Sequence, residues 1–498
     1  MELYIGLTVV AFLVLICLLS SKISSHLNLP SLLLFLAVGM LAGSEGIGGI
    51  YFDNAKVANY VGSVAMAFIL FSGGFDTKWA SVKSIAITGS ILSSLGVLLT
   101  ALFVGIFAWI FLGALMPEST ISLSWCLLLG AIISSTDAAA VFSILRSRSV
   151  SLRGKLQPLL EFESGSNDPM AAFLTVFMVG IVGFESSSGA PMPLADYWII
   201  FPSFLIKMSV GLGLGLIFGW AASAIYNKID FDYNGLYYVL GIAVVCFAYA
   251  VPELVNGNGF MSVYVAGMVM GNRRFVFHNG VGRFYDGIAW IMQVLLFTLL
   301  GLLAFPSQIW HAKWLGLGVA LFLMLVARPL AVMICMWRSR FNIGERFLVS
   351  WVGLRGGAPI MLATFPLMAN VEMAMLLFDI VFFIVITSVA IQGMTIMPLA
   401  KLLGLDAPMR KTPRTPLSIE ETGDDSTDSV EFTLPSEMHD TRLCELEFPP
   451  DALILLIRRD EKFIVPRGET KLKSGDILTV MGNKATIEQI RHILTSNT

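Results

Sequence analysis

Charge is what this sequence has least of. Only 13% of its 498 residues are Asp, Glu, Lys or Arg, while 56% are hydrophobic and the mean hydropathy is +0.79. No soluble single core needs that balance, so the chain reads as an all-α membrane protein that crosses the bilayer many times. Cysteine is scarce as well. Cys17, Cys126, Cys246 and Cys335 lie inside apolar runs and Cys444 lies in a polar tail. No pair has metal-ligand or disulfide-framework spacing, so they read as packing residues. The net charge of −3 gives no ground for a nucleic-acid partner. A basic cluster before the first apolar run is also missing. Glu2 stands there instead, Lys22 comes after the run, and no small-x-small cleavage site follows, so residues 3–20 read as a retained helix.

What is present is a series of about thirteen apolar segments long enough to cross, or nearly cross, a bilayer. Every second loop between them is basic. Lys78 and Lys83 mark one such loop, Arg146, Arg148, Arg153 and Lys155 another, and Arg338, Arg340 and Arg346 a third. The alternate loops carry acids such as Glu45, Asp53, Glu185 and Glu253. Positive charge stays in the cytoplasm, which puts the N-terminus outside and the C-terminal tail inside. The membrane domain is expected over 1–405 and an acidic linker, rich in Pro, Glu and Asp, over 406–429. A small cytosolic α+β domain is expected over 430–498. Strand-like runs at 453–457, 463–465 and 477–481 precede a helical pattern through Ile487, Ile490, Ile493 and Leu494.

The few charges inside the apolar segments are not scattered. Asp137 falls in the fifth segment, Asp168 in the sixth, Arg328 in the eleventh and Arg355 in the twelfth. At 1.5 Å per helical residue, both carboxylates lie roughly 12–15 Å from the cytoplasmic side, and the two arginines lie at similar depth. Snorkelling side chains would sit at segment ends instead. A carboxylate in a bilayer core costs several kcal/mol unless hydrated, paired or bound to a cation. Asp168 and Asp137 therefore read as a site for a monovalent cation or a proton, one displacing the other. Ser134-Ser135-Thr136-Asp137 and Leu354-Arg355-Gly356-Gly357-Ala358-Pro359 both look like helix interruptions. Their segments are seven apart and so run in opposite directions, the pattern of an inverted repeat with two broken helices meeting at the midplane. Glu163 reads as a structural salt-bridge partner of Arg355, and Arg328 as structural support. Asn167 either holds the helix break or contacts the ion. Lys207 and Asp379 lie away from this constellation and receive no role.

Two other classes share some of these features. A ligand-gated cation channel would need a filter of backbone carbonyls, and no Gly-rich repeat of that kind is present. An intramembrane aspartyl protease would carry Gly-x-Gly-Asp, whereas this chain reads Gly165-Ser166-Asn167-Asp168.

Thr136-Asp137, Glu163-Ser164-x-x-Asn167-Asp168 and Gly353-Leu354-Arg355-Gly356-Gly357 together resemble the NhaP-type monovalent cation/proton antiporters, over about 1–405. The resemblance implies a secondary transporter rather than an enzyme. It implies thirteen helices in an NhaA-like fold, a mobile core beside a dimerisation domain, elevator-like alternation and a homodimer in the bacterial inner membrane. Asp168 would be the essential carboxylate, with Asp137, the Thr136 backbone and the Ser164 hydroxyl completing the site. Glu163 and Arg355 would form an ion pair, and Asn167 before Asp168 goes with electroneutral one-for-one exchange. Where the family often has Pro after Thr-Asp, this chain has Ala138. The tail, through Pro449-Pro450, Pro466-Arg467-Gly468 and Leu472-x-x-Gly475-Asp476, resembles RCK_C/TrkA_C regulatory domains of potassium transport proteins, which bind nucleotides or other small ligands. That tail favours K+ over Na+ or Li+ as the exchanged cation. Relatives can carry a further domain beyond the position of Thr498.

Overall fold

The computed structural model describes residues 2–27, 30–116, 121–147, 150–188, 200–408, 428–434, 442–446, 448–459, 462–483 and 485–490. The expected acidic linker lies outside these residues except at its two ends, as do Ile493 and Leu494.

Apolar sequence becomes helix here because a backbone in lipid must satisfy its own N–H and C=O groups. Among the described residues, eight helices are long and apolar enough to cross a membrane, from Ala55–Asp76 to Ala374–Leu402. Shorter apolar helices precede or separate them, including Ser31–Ala42, Leu123–Ile132, Gly259–Gly271 and Gly357–Met368. The Ala55–Asp76 and Gly259–Gly271 helices touch backbone to backbone. A Cβ on Gly267 would lie 2.3 Å from the Phe71 carbonyl oxygen, and one on Gly74 would lie 2.3 Å from that of Tyr264. The glycines expected to pack closely in the seventh segment divide by face. Gly211, Gly215 and Gly219 meet residues 258–269, whereas Gly213 meets nothing within 4 Å.

Among the described residues, two helices carry a π-helical turn, Leu92–Gly96 within Ala86–Leu115 and Leu323–Ala327 within Lys313–Cys335. The same two helices meet at Phe107 and Phe322, whose rings stack with centroids 3.9 Å apart.

Two other spans are interrupted. The first breaks between Leu123–Ile132 and Ala138–Ser147, and the second between Ile343–Trp351 and Gly357–Leu362. The unbroken Leu156–Ser188 helix, which bears Glu163 and Asp168, packs on the first. A two-stranded ribbon, β1 (Val150–Leu152) with β2 (Asp406–Pro408), is antiparallel.

The tail has its own sheet and apolar core. Its four-stranded antiparallel sheet runs β3 (Asp428–Thr433), β6 (Ile477–Gly482), β4 (Leu453–Arg459), β5 (Lys462–Ile464). Phe432, Leu434, Ile457, Leu472, Leu478, Val480, Ile487 and Ile490 form its core. Strand β3 was not legible in the sequence, because it contributes only Val430 and Phe432 as apolar residues. Asp476 anchors the β6 approach. It accepts from Arg459 at 2.9 Å (Nε) and 2.7 Å (Nη2) and from the Lys473 N–H at 2.8 Å. Burial pushes the Asp476 carboxyl up, but these hydrogen bonds and the Arg459 and Lys473 charges outweigh it and hold it below the usual carboxylate range.

Candidate functional site

The first break is built from hydroxyls. The Leu123–Ile132 helix gives way to Ser134-Ser135-Thr136, and the Ser134 hydroxyl turns back to donate to the Ala131 carbonyl at 2.6 Å. Asp137 then starts the next helix by accepting the N–H of Ala140 at 3.1 Å, an N-cap contact. The second break rests on Gly356 and Gly357, with Pro359 in the first turn of the restarted helix, where a missing N–H costs nothing. The two interruptions touch. The Asp137 N–H donates to the Leu354 carbonyl at 2.7 Å. A Cβ on Gly356 would lie 1.8 Å from Asp137 Oδ2, so only glycine fits at that crossing.

Arg355 lies in the unwound segment, fully buried. Its Nη1 donates to the carbonyls of Ser134 at 3.1 Å and Ser135 at 2.5 Å, neutralising the free C-terminal end of the first half-helix. Glu163 does not pair with it. The Glu163 carboxylate pairs instead with Arg328, and both side chains are buried. The expected Glu163–Arg355 ion pair is thus corrected. The two arginines share a depth, but Arg355 sits where the helix has opened and turns toward the carbonyls, while Arg328 sits on an intact turn facing Glu163.

Asp168 and Asp137 line one cavity of about 50 Å³, enough for a water molecule or two. Thr136, Gly357, Phe297 and Gln293 also line it, among apolar neighbours such as Met66 and Leu296. The Ser135 hydroxyl donates to Asp168 Oδ1. The Ser164 hydroxyl accepts the N–H of Ala138 at 3.0 Å and donates to the Thr136 carbonyl at 2.8 Å. Ala138 in place of the family's proline therefore brings an extra N–H, and Ser164 takes it. Asn167 Nδ2 donates to the Thr136 hydroxyl at 2.6 Å, while its buried Oδ1 has no hydrogen-bond partner. One end of Asn167 holds the break, and the other is an unused oxygen beside the site.

Asp168, Asp137, Thr136, Ser164 and Asn167 thus meet at the crossing, and Glu163, Arg328 and Arg355 brace it. Sequence reasoning missed Gln293, a lone amide in the apolar run 285–304, and it left Ser135 as one hydroxyl of a run. Lys207 lines a separate cavity of about 420 Å³ with Tyr249, Glu253, Asn258 and Phe260. Phe260 and Ala172 also line a narrow cleft at Asp168. Asp379 is buried on the Ala374–Leu402 helix, outside the site.

Fold and site together define a polytopic membrane protein organised around two crossing broken helices and a pair of intramembrane carboxylates. The profile of the transmembrane sodium/hydrogen exchanger family matches residues 9–402, and that of the TrkA-C domain matches 429–495. The chain belongs to the sodium/hydrogen exchanger family. It is 36% identical to the K+/H+ antiporter NhaP of Alkalimonas amylolytica, over 98% of this chain and 83% of that one. It is likewise 36% identical to the K+/H+ antiporter NhaP2 of Shewanella sp. (strain MR-4), over 97% and 82%. Its fold matches the sodium proton antiporter MjNhaP1 of Methanocaldococcus jannaschii at pH 8 with a TM-score of 0.65 and 22% identity, covering 79% of this chain and all of that one.

Proposed function

We propose that the chain is a secondary antiporter that exchanges K+ for H+, with Asp168 as the carboxylate that carries either. The observation behind this reading is the shared cavity of Asp168 and Asp137 at the crossing of two broken helices. A carboxylate there is stable when it holds a cation or a proton and costly when empty. Each loaded state is close to neutral and can move, whereas the empty charged site cannot move cheaply. That competition alone couples the two fluxes. Asp137, the Thr136 backbone, Ser164 and the Asn167 oxygen complete the cation's surroundings, and Ser135 orients Asp168. Glu163, Arg328 and Arg355 hold the frame.

The choice of K+ rests on the two 36%-identical relatives, both named K+/H+ antiporters, and on the TrkA-C tail. The alternative, Na+ or Li+ exchange, takes its support from the fold neighbour and from a 28%-identical relative named Na+/H+ antiporter 1. The wider reading has thirteen crossings, eight by long helices and the rest by short or broken ones, in an inverted repeat. The N-terminus faces the periplasm and the tail the cytoplasm of a bacterial inner membrane. One-for-one exchange, an elevator movement, a homodimer and regulation by a small ligand on the tail belong to the same proposal.

The test is proton movement in proteoliposomes with a pH-sensitive dye, adding K+, Na+, Li+ and Rb+ in turn. K+-driven movement that Asp168→Asn abolishes is expected. Movement driven only by Na+ and Li+ moves the reading to the alternative, and normal exchange by the variant refutes the role of Asp168.

A further inference from the structure

The second break is held from a helix that the exchange reading does not use. On Ala374–Leu402, Ser388 Oγ accepts the N–H of Arg355 at 3.2 Å and donates to Gln392 Oε1 at 2.5 Å. Gln392 Nε2 donates to the Trp351 carbonyl at 2.8 Å. Trp351 is the last residue of the helix before the break, and Arg355 lies four residues on, inside it. Both backbone groups have lost helical partners, and a bilayer offers no water in exchange. Ser388 and Gln392 are fully buried, and the pair bridges the end of the helix and the opened backbone four residues on. One turn further on, Thr395 accepts the Trp351 indole N–H at 2.9 Å.

The first break is held in a matching way. Ser164 Oγ accepts the N–H of Ala138, and four residues on, Asp168 accepts from Ser135. In both cases a serine takes an N–H at the break, and the residue one turn later also bonds to it, Asp168 by accepting from Ser135 and Gln392 by donating to the Trp351 carbonyl. At one break that residue is an acid facing the cavity. At the other it is an amide with both ends engaged.

We propose that Gln392, with Ser388, is a positioning residue for cation/proton exchange. A continuous chain of contacts runs from Gln392 through Ser388 to the Arg355 backbone. The Arg355 guanidinium then binds the Ser135 carbonyl, and the Ser135 hydroxyl reaches Asp168. Loosening the bridge moves the arginine and changes how Asp168 divides its time between proton and cation. This inference rests on the antiporter reading.

The test compares Gln392→Ala, Gln392→Glu and Ser388→Ala with wild type in proteoliposomes, per folded protein, across pH. Gln392→Ala is expected to lower the maximal rate about tenfold and to displace the pH at which exchange is half-maximal. Gln392→Glu separates positioning from bulk. A protonated acid donates to the Trp351 carbonyl as the amide does, and a carboxylate cannot, so this variant keeps its rate in acid and loses it in alkali. An alanine variant with wild-type apparent KM and unmoved pH midpoint overturns the proposal, even if less of it folds. Hydrogen exchange over residues 351–357 gives an arm independent of transport. Lost protection in Gln392→Ala is expected, and unchanged protection overturns the proposal. If the wild type moves no protons with any cation, the antiporter reading fails, and hydrogen exchange still decides whether Gln392 holds the break.

Discussion

Exchanging the partner of Glu163 is the sharpest test of the bracing around the site. The carboxylate pairs with Arg328, and the two side chains are 1% and 3% exposed. At that burial, removing one partner leaves an uncompensated charge, and the cost is about 3–5 kcal/mol. Glu163→Leu and Arg328→Met should each lose about that much. The double variant, with two apolar side chains of similar volume, should recover most of it, because replacing a whole buried pair is often neutral or stabilising by about 1–4 kcal/mol. With about 3–5 kcal/mol lost in each single variant and little lost in the double, the coupling between positions 163 and 328 should be about 5 kcal/mol or more. Arg355→Met is different. It strips two backbone carbonyls of a charged donor, costing about 1.5–3 kcal/mol per bond, and Glu163→Leu should not relieve it. The coupling of 163 with 355 should stay below about 1 kcal/mol. Equilibrium unfolding of detergent-solubilised single and double variants, followed by tryptophan fluorescence, measures both couplings. A larger coupling to Arg355 than to Arg328 would refute the assignment.

Two further outcomes follow from the same geometry. Gly356→Ala places a Cβ 1.8 Å from Asp137 Oδ2. It should destabilise by about 1–3 kcal/mol and slow exchange on the order of a hundredfold. Gly73→Ala, with nothing within 4 Å, is the matched control and should do neither. In the tail, the lowered Asp476 carboxyl contributes stability that is present above the unfolded value of about 3.9 and lost as pH falls through the lower folded one. Protection of β6 from hydrogen exchange should therefore decline below about pH 4, and Asp476→Asn should remove that acid limb while lowering protection at neutral pH.

Much of this was legible in residue types. Long apolar runs announce helices because lipid leaves the backbone no other choice, and Gly356-Gly357 with Pro359 announces where one cannot continue. The meeting of Asp137 and Asp168 follows from depth, which counting along a helix gives to within a turn, whereas Thr136 and Ser164 were expected at the site only through the family resemblance. Depth does not say which way a side chain points around its axis. Arg328 and Arg355 lie at one level, so the wrong arginine was as compatible with the sequence as the right one. Ser388 and Gln392 were invisible for a related reason. A serine and a glutamine in a long apolar run carry no spacing signal of their own, and their task is set by a break in a different span.

The π-helical turn at Leu323–Ala327 gives that directional ambiguity a physical origin. Such a turn amounts to one surplus residue in an α-helix, and one residue is about 100° of rotation. Arg328 follows immediately after it, so its azimuth is set by that surplus rather than by the hydrophobic period of the helix. Deleting a single residue between 323 and 327 would leave the span apolar and long enough to cross, and would bring it closer to ideal helical geometry. It would also swing the arginine about a quarter-turn away from Glu163 and leave a buried carboxylate alone. The helix is thus kept out of phase with itself, and the irregularity is what aims the charge.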